Sequence, residues 1–243
     1  MQSWPAPPPD PMPLPGEVSA VFADLAVTPG RLCQLTAGFT QRERQRAESF
    51  ATDEWRDRWS AARGTLREVL GHALRIAPEA VALRYRRHGK PELDPDCAPL
   101  AGELRFNLSH SGERALIALA RVEVGADVER LKPRRTDDIA RRFFVPGEQR
   151  RLFSLSPVER EQAFFRLWTC KEAFLKVTGE GLSRSTRSYE VEVGPDGARL
   201  LWATGIHDAA ERFSVYPLDP GNGYAAALFA EARGLTLRRF HWP

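Results

Sequence analysis

Residues 165–182, FRLWTCKEAFLKVTGEGL, limit what this chain can fold into more than any other stretch. Phe164, Leu167, Trp168, Phe174 and Leu175 recur at helical spacing and demand a buried partner along one face. Thr169, Glu172 and Lys176 stand at i, i+3 and i+7 on a second stripe, with Lys171 beside it. Gly179 and Gly181 then stop the helix, because glycine accepts the left-handed conformation of a helix C-terminus. An acid between two lysines is thereby fixed to an element that must dock on a core. Taken alone, Glu172 and Lys176 are an ordinary surface pair worth about 0.2–0.5 kcal/mol. Lysine usage gives them more weight. Of 35 basic residues only Lys90, Lys132, Lys171 and Lys176 are lysine, two of them in this helix and one in a Gly-Lys-Pro turn. A compact ammonium suits a phosphate as a point charge, whereas arginine offers a planar fork.

A chain of 243 residues can bury a substantial core as one domain or two small ones. With 35 basic and 32 acidic residues the net charge of +3 excludes little, although 31 arginines favour an anionic partner. Those arginines are interleaved with acids and no nucleic-acid recognition motif accompanies them, which argues against a nucleic-acid binder. Cys33, Cys97 and Cys170 are odd in number and far apart, the pattern of free thiols in a reducing cytoplasm. There is neither an 18-residue apolar run nor a charged leader before an apolar core, so neither membrane spanning nor export by a signal peptide is expected.

In chain order, seven prolines in residues 4–15 read as an extended arm, either docked or free. Residues 18–26 read as a first strand. Thr40 caps a helix carrying Arg42, Arg44 and Arg46, and a second helix starts near Thr52 or Asp53. In that second helix Trp55, Trp59, Ala62, Leu66 and Leu70 form the expected core face, with Arg56, Arg58, Arg63 and Arg67 largely off it. Such arginines are either solvated or an anion-binding rim. Residues 81–93 read as a strand entering a turn at Gly89-Lys90-Pro91, and 104–131 as three strands with a polar turn. Asn107, Ser109, His110 and Ser111 crowd hydrogen-bonding groups that either shape that turn or meet a phosphate. Asp127 and Glu129 leave the same face of an extended segment, and such crowded charges are either exposed loop acids or ligands of a hard divalent cation. Glu172 supplies the third carboxylate of such a site. Glu148 starts a helix after Val-Pro-Gly, and residues 188–202 form a hairpin turning at 194–197. Strands at 213–218 and 223–230 close the fold, and the tail after Glu231 carries no signal.

RALIALA (114–120) echoes YAAALFA (224–230), and each follows a long Trp-containing helix. The expected fold is therefore α+β, in two pseudo-symmetric lobes at 17–124 and 125–243 after an arm at 1–16. Each lobe is a small antiparallel sheet packed with a long helix, and the active cleft lies between them.

In order, GKP, FNLSHSG, GADVE, RRFF followed by an acid, and WTCKEAFLKVTGEGL resemble the 4′-phosphopantetheinyl transferase superfamily in its long, two-lobed form. That resemblance implies transfer of 4′-phosphopantetheine from coenzyme A to a serine of an apo acyl, peptidyl or aryl carrier protein. Mg²⁺ assists, with Mn²⁺ an alternative, and adenosine 3′,5′-bisphosphate is released. It implies metal ligands at Asp127, Glu129 and Glu172 and phosphate contacts at Lys171 and Lys176. It further implies an adenine-side turn at Gly89, Lys90 and Pro91, and coenzyme A phosphate ligands at Ser109 and His110. Arg44, Arg46 and Arg58 fall near its basic contacts to the 3′-phosphate. Glu148 matches an acid assigned to deprotonating the serine, and the carrier surface falls near Arg141, Phe143 and Phe144. A monomer is expected, since one chain supplies both lobes. The alternative is a non-catalytic coenzyme A- or nucleotide-binding module of the same fold, against which stand three intact carboxylates and both helix lysines.

Overall fold

A computed structural model describes residues 4–8, 11–132, 135–195, 197–221 and 223–243, the side chain of Leu182 excepted. Residues 1–3, 9 and 10 of the arm and Asp196 of the 194–197 turn lie outside them.

The elements follow in order β1 (Glu17–Asp24), α1 (Pro29–Thr36), α2 (Gln41–Glu48) and α3 (Asp53–Leu74). The short hairpin β2 (Leu83–Tyr85) and β3 (Pro91–Leu93) precedes β4 (Arg105–Ser111), β5 (Arg114–Ala120) and β6 (Val124–Arg130). Then come α4 (Thr136–Phe143), α5 (Pro146–Phe153) and the long α6 (Pro157–Thr178). The chain ends with the hairpin β7 (Tyr189–Gly194) and β8 (Gly197–Ala203), α7 (Ala209–Arg212), β9 (Ser214–Leu218), β10 (Tyr224–Ala230) and β11 (Thr236–Trp242).

Two sheets sit back to back between helices. The four-stranded sheet runs β11-β1-β5-β4 and the three-stranded sheet runs β6-β10-β9. Val18, Ala20, Phe22, Leu116, Ala118 and Ala120 on one inner face meet Val124, Ala126, Val128, Ala226, Leu228 and Ala230 on the other. The alternate residues Val21, Ala23, Ile117 and Leu119 face Leu66, Val69, Leu70 and Ala73 of α3. Ala225, Ala227 and Phe229 face Phe174, Ala173 and Val177 of α6. The RALIALA and YAAALFA echo follows from this layering. β5 and β10 are each flanked by strands on both sides and covered on both faces, so apolar residues are required at every position.

Local signals placed the starts of α2, α3 and α5 and the end of α6, while α1 and α4 were not foreseen. Thr40 and Glu43 close a capping box on α2, Thr52 caps α3, and Ser156 with Glu159 does the same for α6. α6 ends at Gly179 with φ +71°. Three expectations need correction. Trp55, assigned to the core face of α3, is 62% exposed. Arg63 and Arg67, expected off that face, are buried because both donate to Glu43 of α2, at 2.6 Å and 2.8 Å. The tail after Glu231 holds β11, which pairs parallel with β1 from Glu17 against Thr236 to Ala23 against Trp242. Assigned by sequence to the second lobe, this strand instead belongs to the sheet of the first, which is mixed at that edge.

The described part of the arm is docked. Trp4 meets Phe22 edge-on at 4.4 Å, Met12 is buried, and Pro5 and Pro13 carbonyls accept from the His241 amide and Arg121 Nε. The three cysteines are free. Among the described residues no helix is long and apolar enough to cross a membrane.

Candidate active site

β4 and β6 are edge strands of different sheets, and they are joined by side chains instead of a backbone ladder. Asn107 Oδ1 accepts from the Ala126 amide at 2.9 Å, Ser109 Oγ from the Val128 amide at 3.3 Å, and Ser111 Oγ from the Arg130 amide at 3.1 Å. The offset is 19 residues each time, so the two strands run in the same direction. Amides that an edge strand would leave to water are satisfied from across the seam.

Asp127 and Glu129 are set in register by this seam. Ser109 Oγ donates to Asp127 Oδ1 at 3.0 Å, and Ser111 Oγ donates to Glu129 Oε2 at 3.1 Å. α6 brings Glu172 and Lys176 to the same place, and Gly125 is what lets it approach. A Cβ on Gly125 would lie 2.2 Å from the Ala173 carbonyl oxygen and 2.4 Å from the Val177 amide nitrogen. Lys176 Nζ donates to Asp127 Oδ1 at 2.6 Å and to Ser109 Oγ at 2.9 Å. Asp127 Oδ2 is buried with no hydrogen-bond partner.

Burial raises the Asp127 carboxyl, more than the Lys176 charge lowers it. Burial also raises Glu172, and the charges of Asp127 and Glu129 push it further in the same direction. Three acids therefore act on one another beside the C-terminal part of α6. Among the described residues no three such side chains stand close enough to enclose an ion as they are placed, and the cation between strand and helix is the Lys176 ammonium.

Lys171 and Glu148 are elsewhere. Lys171 Nζ donates to Glu148 Oε1 at 2.7 Å, to Oε2 at 2.9 Å and to the Tyr189 carbonyl at 3.2 Å. Glu148 also accepts from the Val145 and Val191 amides. Both side chains are at most 1% exposed, beneath Phe144 and Tyr189. Burial raises Glu148 and lowers Lys171. The phosphate contact expected of Lys171 and the proton-accepting role expected of Glu148 do not match this interior position. Phe144, expected near a carrier surface, is fully buried, while Arg141 stacks over Phe153 at 4.7 Å.

The remaining candidates form a basic margin. Gly89, with φ +83°, turns the β2–β3 hairpin, which Pro91 leaves as the first residue of β3. Lys90 Nζ reaches back to Glu123 and to the Val124 carbonyl, each at 3.0 Å. Burial lowers Lys90 despite the Glu123 charge. Arg44 and Arg46 are exposed on α2, Arg46 stacking over Phe50 at 4.8 Å. Arg58 pairs with Glu54 at 2.6 Å and Glu113 at 3.3 Å. His110 keeps an exposed edge, yet the protein crowding its ring and then the Lys176 charge lower its pKa. Ser109, expected as a phosphate ligand, is buried, and its proton and both lone-pair directions are already used within the seam. A larger hollow of about 840 Å³, lined by Trp4, Phe22, Arg114, Arg166 and His241, contains none of the candidate residues.

The 4′-phosphopantetheinyl transferase superfamily model matches residues 123–229, and that of the transferase N-terminal part matches 27–122. The 4′-phosphopantetheinyl transferase HetI of Nostoc sp. is 34% identical over 242 residues, spanning 99% of this chain and 98% of its own. The chain belongs to the 4′-phosphopantetheinyl transferase family. The 4′-phosphopantetheinyl transferase Sfp of Bacillus subtilis is 29% identical over 75% of this chain and 84% of its own. A crystal structure of Thermotoga maritima holo-[acyl-carrier-protein] synthase matches 46% of the chain and 64% of its own, at 25% identity and a TM-score of 0.36. The two family matches meet between Val122 and Glu123, in the turn where β5 passes to β6 and the first sheet to the second.

Asn107 and Ser111 were read from the sequence as groups shaping a turn or meeting a phosphate, and their place in the seam was not foreseen. The signal was present as N-x-S-x-S at the two-residue period of a strand. What it lacked was the partner strand, since nothing local announces that two sheet edges will lie together.

Proposed function

We propose that this enzyme transfers 4′-phosphopantetheine from coenzyme A to a serine hydroxyl of an apo acyl, peptidyl or aryl carrier protein, and that it does so with Mg²⁺. The observation that carries the reading is the buried, unpartnered Oδ2 of Asp127, whose Oδ1 accepts from Lys176 and whose charge is felt by Glu172 beside it. An oxygen left without a donor at such a place costs roughly 1–3 kcal/mol. A hard cation with oxygen ligands repays that cost, so Asp127, Glu129 and Glu172 fit Mg²⁺. When bound, the ion supplies neutralising charge to a diphosphate.

The side chains divide the remaining work. Lys176, already in the cleft, offers its ammonium to a phosphate oxygen as negative charge builds on the departing group. Lys90 with Gly89 and Pro91 bounds the adenine side, and His110 offers a ring N–H to a phosphate. Arg44, Arg46 and Arg58 form a basic margin for the 3′-phosphate. The serine Oγ bonds to the phosphorus that carries pantetheine, and the bond from that phosphorus to the bridging oxygen breaks. Adenosine 3′,5′-bisphosphate leaves with that oxygen. The serine proton goes to a carboxylate. With Glu148 sealed in the interior, Glu172 is the carboxylate open to the cleft that can receive it. One chain supplies both sides of the cleft, which suits a monomer working in the cytoplasm.

Incubation with coenzyme A, Mg²⁺ and an apo carrier protein should add the mass of one phosphopantetheine to the carrier serine. An unmodified carrier, with coenzyme A bound by the protein, would favour the non-catalytic alternative.

A further inference from the structure

We propose that Ser111 is a positioning residue for Glu129, and that Ser109 and Ser111 form a repeated hydroxyl cradle that aims the two carboxylates of β6. The proposal rests on the reading of those carboxylates as Mg²⁺ ligands.

A serine hydroxyl has one proton to give and two lone pairs to receive with. The Arg130 amide points into Ser111 Oγ at 3.1 Å, which uses a lone pair and settles the rotamer. The proton is then free to face Glu129 Oε2, at 3.1 Å. Ser109 repeats the arrangement two residues earlier. The Val128 amide and the Lys176 ammonium fill its oxygen, and its proton goes to Asp127 Oδ1. In both cases the carboxylate lies 18 residues after the serine and the amide 19 after it.

The third rung tests the logic from within. Asn107 accepts the Ala126 amide with the same 19-residue offset, but the residue at its 18-residue offset is Gly125. No carboxylate stands there to be aimed, and the residue is asparagine, whose carbonyl oxygen accepts without carrying a proton. Serine stands where an acid must be held, and asparagine where only an amide needs a partner. Each carboxylate thus has one oxygen turned toward the seam. For Asp127 the other oxygen is left buried and unpartnered. Outer hydrogen bonds of this kind typically govern 10–100-fold in metal affinity.

The test is calorimetric titration of Mg²⁺ into the full-length wild type, Ser111→Ala, Ser111→Thr and Asn107→Ala, with melting temperatures for each. Ser111→Ala should weaken Mg²⁺ binding by about tenfold or more. Ser111→Thr, which keeps the hydroxyl, should recover it. Asn107→Ala should lower the melting temperature with Mg²⁺ affinity unchanged. Wild-type affinity in Ser111→Ala overturns the proposal while leaving the metal reading intact. Equal losses of affinity and stability in Ser111→Ala and Asn107→Ala also overturn it, since Ser111 would then be only a rung. If the wild type takes up no Mg²⁺, the metal reading itself fails and the proposal with it.

Discussion

Helix α6 carries two lysines little more than a turn apart, and each is paired with a carboxylate. The pairs end in opposite conditions. Lys171 and Glu148 are sealed from water with every polar atom spoken for, by each other, by two amides and by a carbonyl. Lys176 and Asp127 straddle the seam, with the lysine partly open and one aspartate oxygen lacking any partner. The same residue types on the same helix therefore serve two ends. A saturated pair holds elements together, and an unsaturated one is ready for something that is not protein.

The comparison breaks first at Asp127. Asp127→Ala should cut carrier modification by on the order of 10²–10³-fold or more, read by mass spectrometry. It should shift the melting temperature by only a few degrees, because it removes an unsatisfied oxygen along with an ion pair. A large loss of stability would place Asp127 in the same class as Glu148. The second break is at Glu148. Glu148→Gln should cost about 3–5 kcal/mol in urea denaturation, since it strands the Lys171 charge in the interior. The double variant Glu148→Leu with Lys171→Met should cost less than either single change. The variant protein that remains folded should still modify its carrier. Strong loss of transfer without loss of stability would return Glu148 to a chemical role.

A smaller effect sharpens the distinction using Glu43. Burial pulls this carboxyl upward, but hydrogen bonds from Arg67, the Thr40 amide and Arg63 outweigh it and bring its pKa down to about 2. A folded-state pKa below the unfolded value of 4.5 gives stability that is complete above pH 4.5 and fades as the pH falls through 2. The whole contribution is about 3 kcal/mol. Glu43→Gln should flatten the stability–pH curve across that window, measured by urea unfolding at successive pH values. A wild-type curve already flat there would show that the Glu43 cluster is not tightly paired.

Much of this was readable from residues alone, and the failures share one cause. Caps at Thr40 and Thr52, the stop at Gly179, the alternation of β5 and the shared face of Asp127 and Glu129 in β6 are local signals, and they held, whereas Asn107 to Ser111, read as a polar turn, lie in β4. The convergence of Asp127, Glu172 and Lys176 was also reached, through the family motifs. Arg63 and Arg67 were misjudged because their burial depends on Glu43, some 20 residues away on another helix. Lys171 was misjudged because periodicity puts it beside Glu172 and says nothing of the acid waiting underneath. β11 was missed because a half-exposed edge strand, TLRRFHW, shows charge where alternation would show a core.

β11 also restricts how the enzyme can move. The last strand crosses back to lie beside the first, so the connection from β10 ties the second sheet to the first a second time, next to the turn from β5 to β6, where the Glu231 amide donates to the Glu123 carbonyl at 2.9 Å. With both straps at one end and apolar faces pressed between the sheets, any parting of the lobes is confined to the opposite end of the strands.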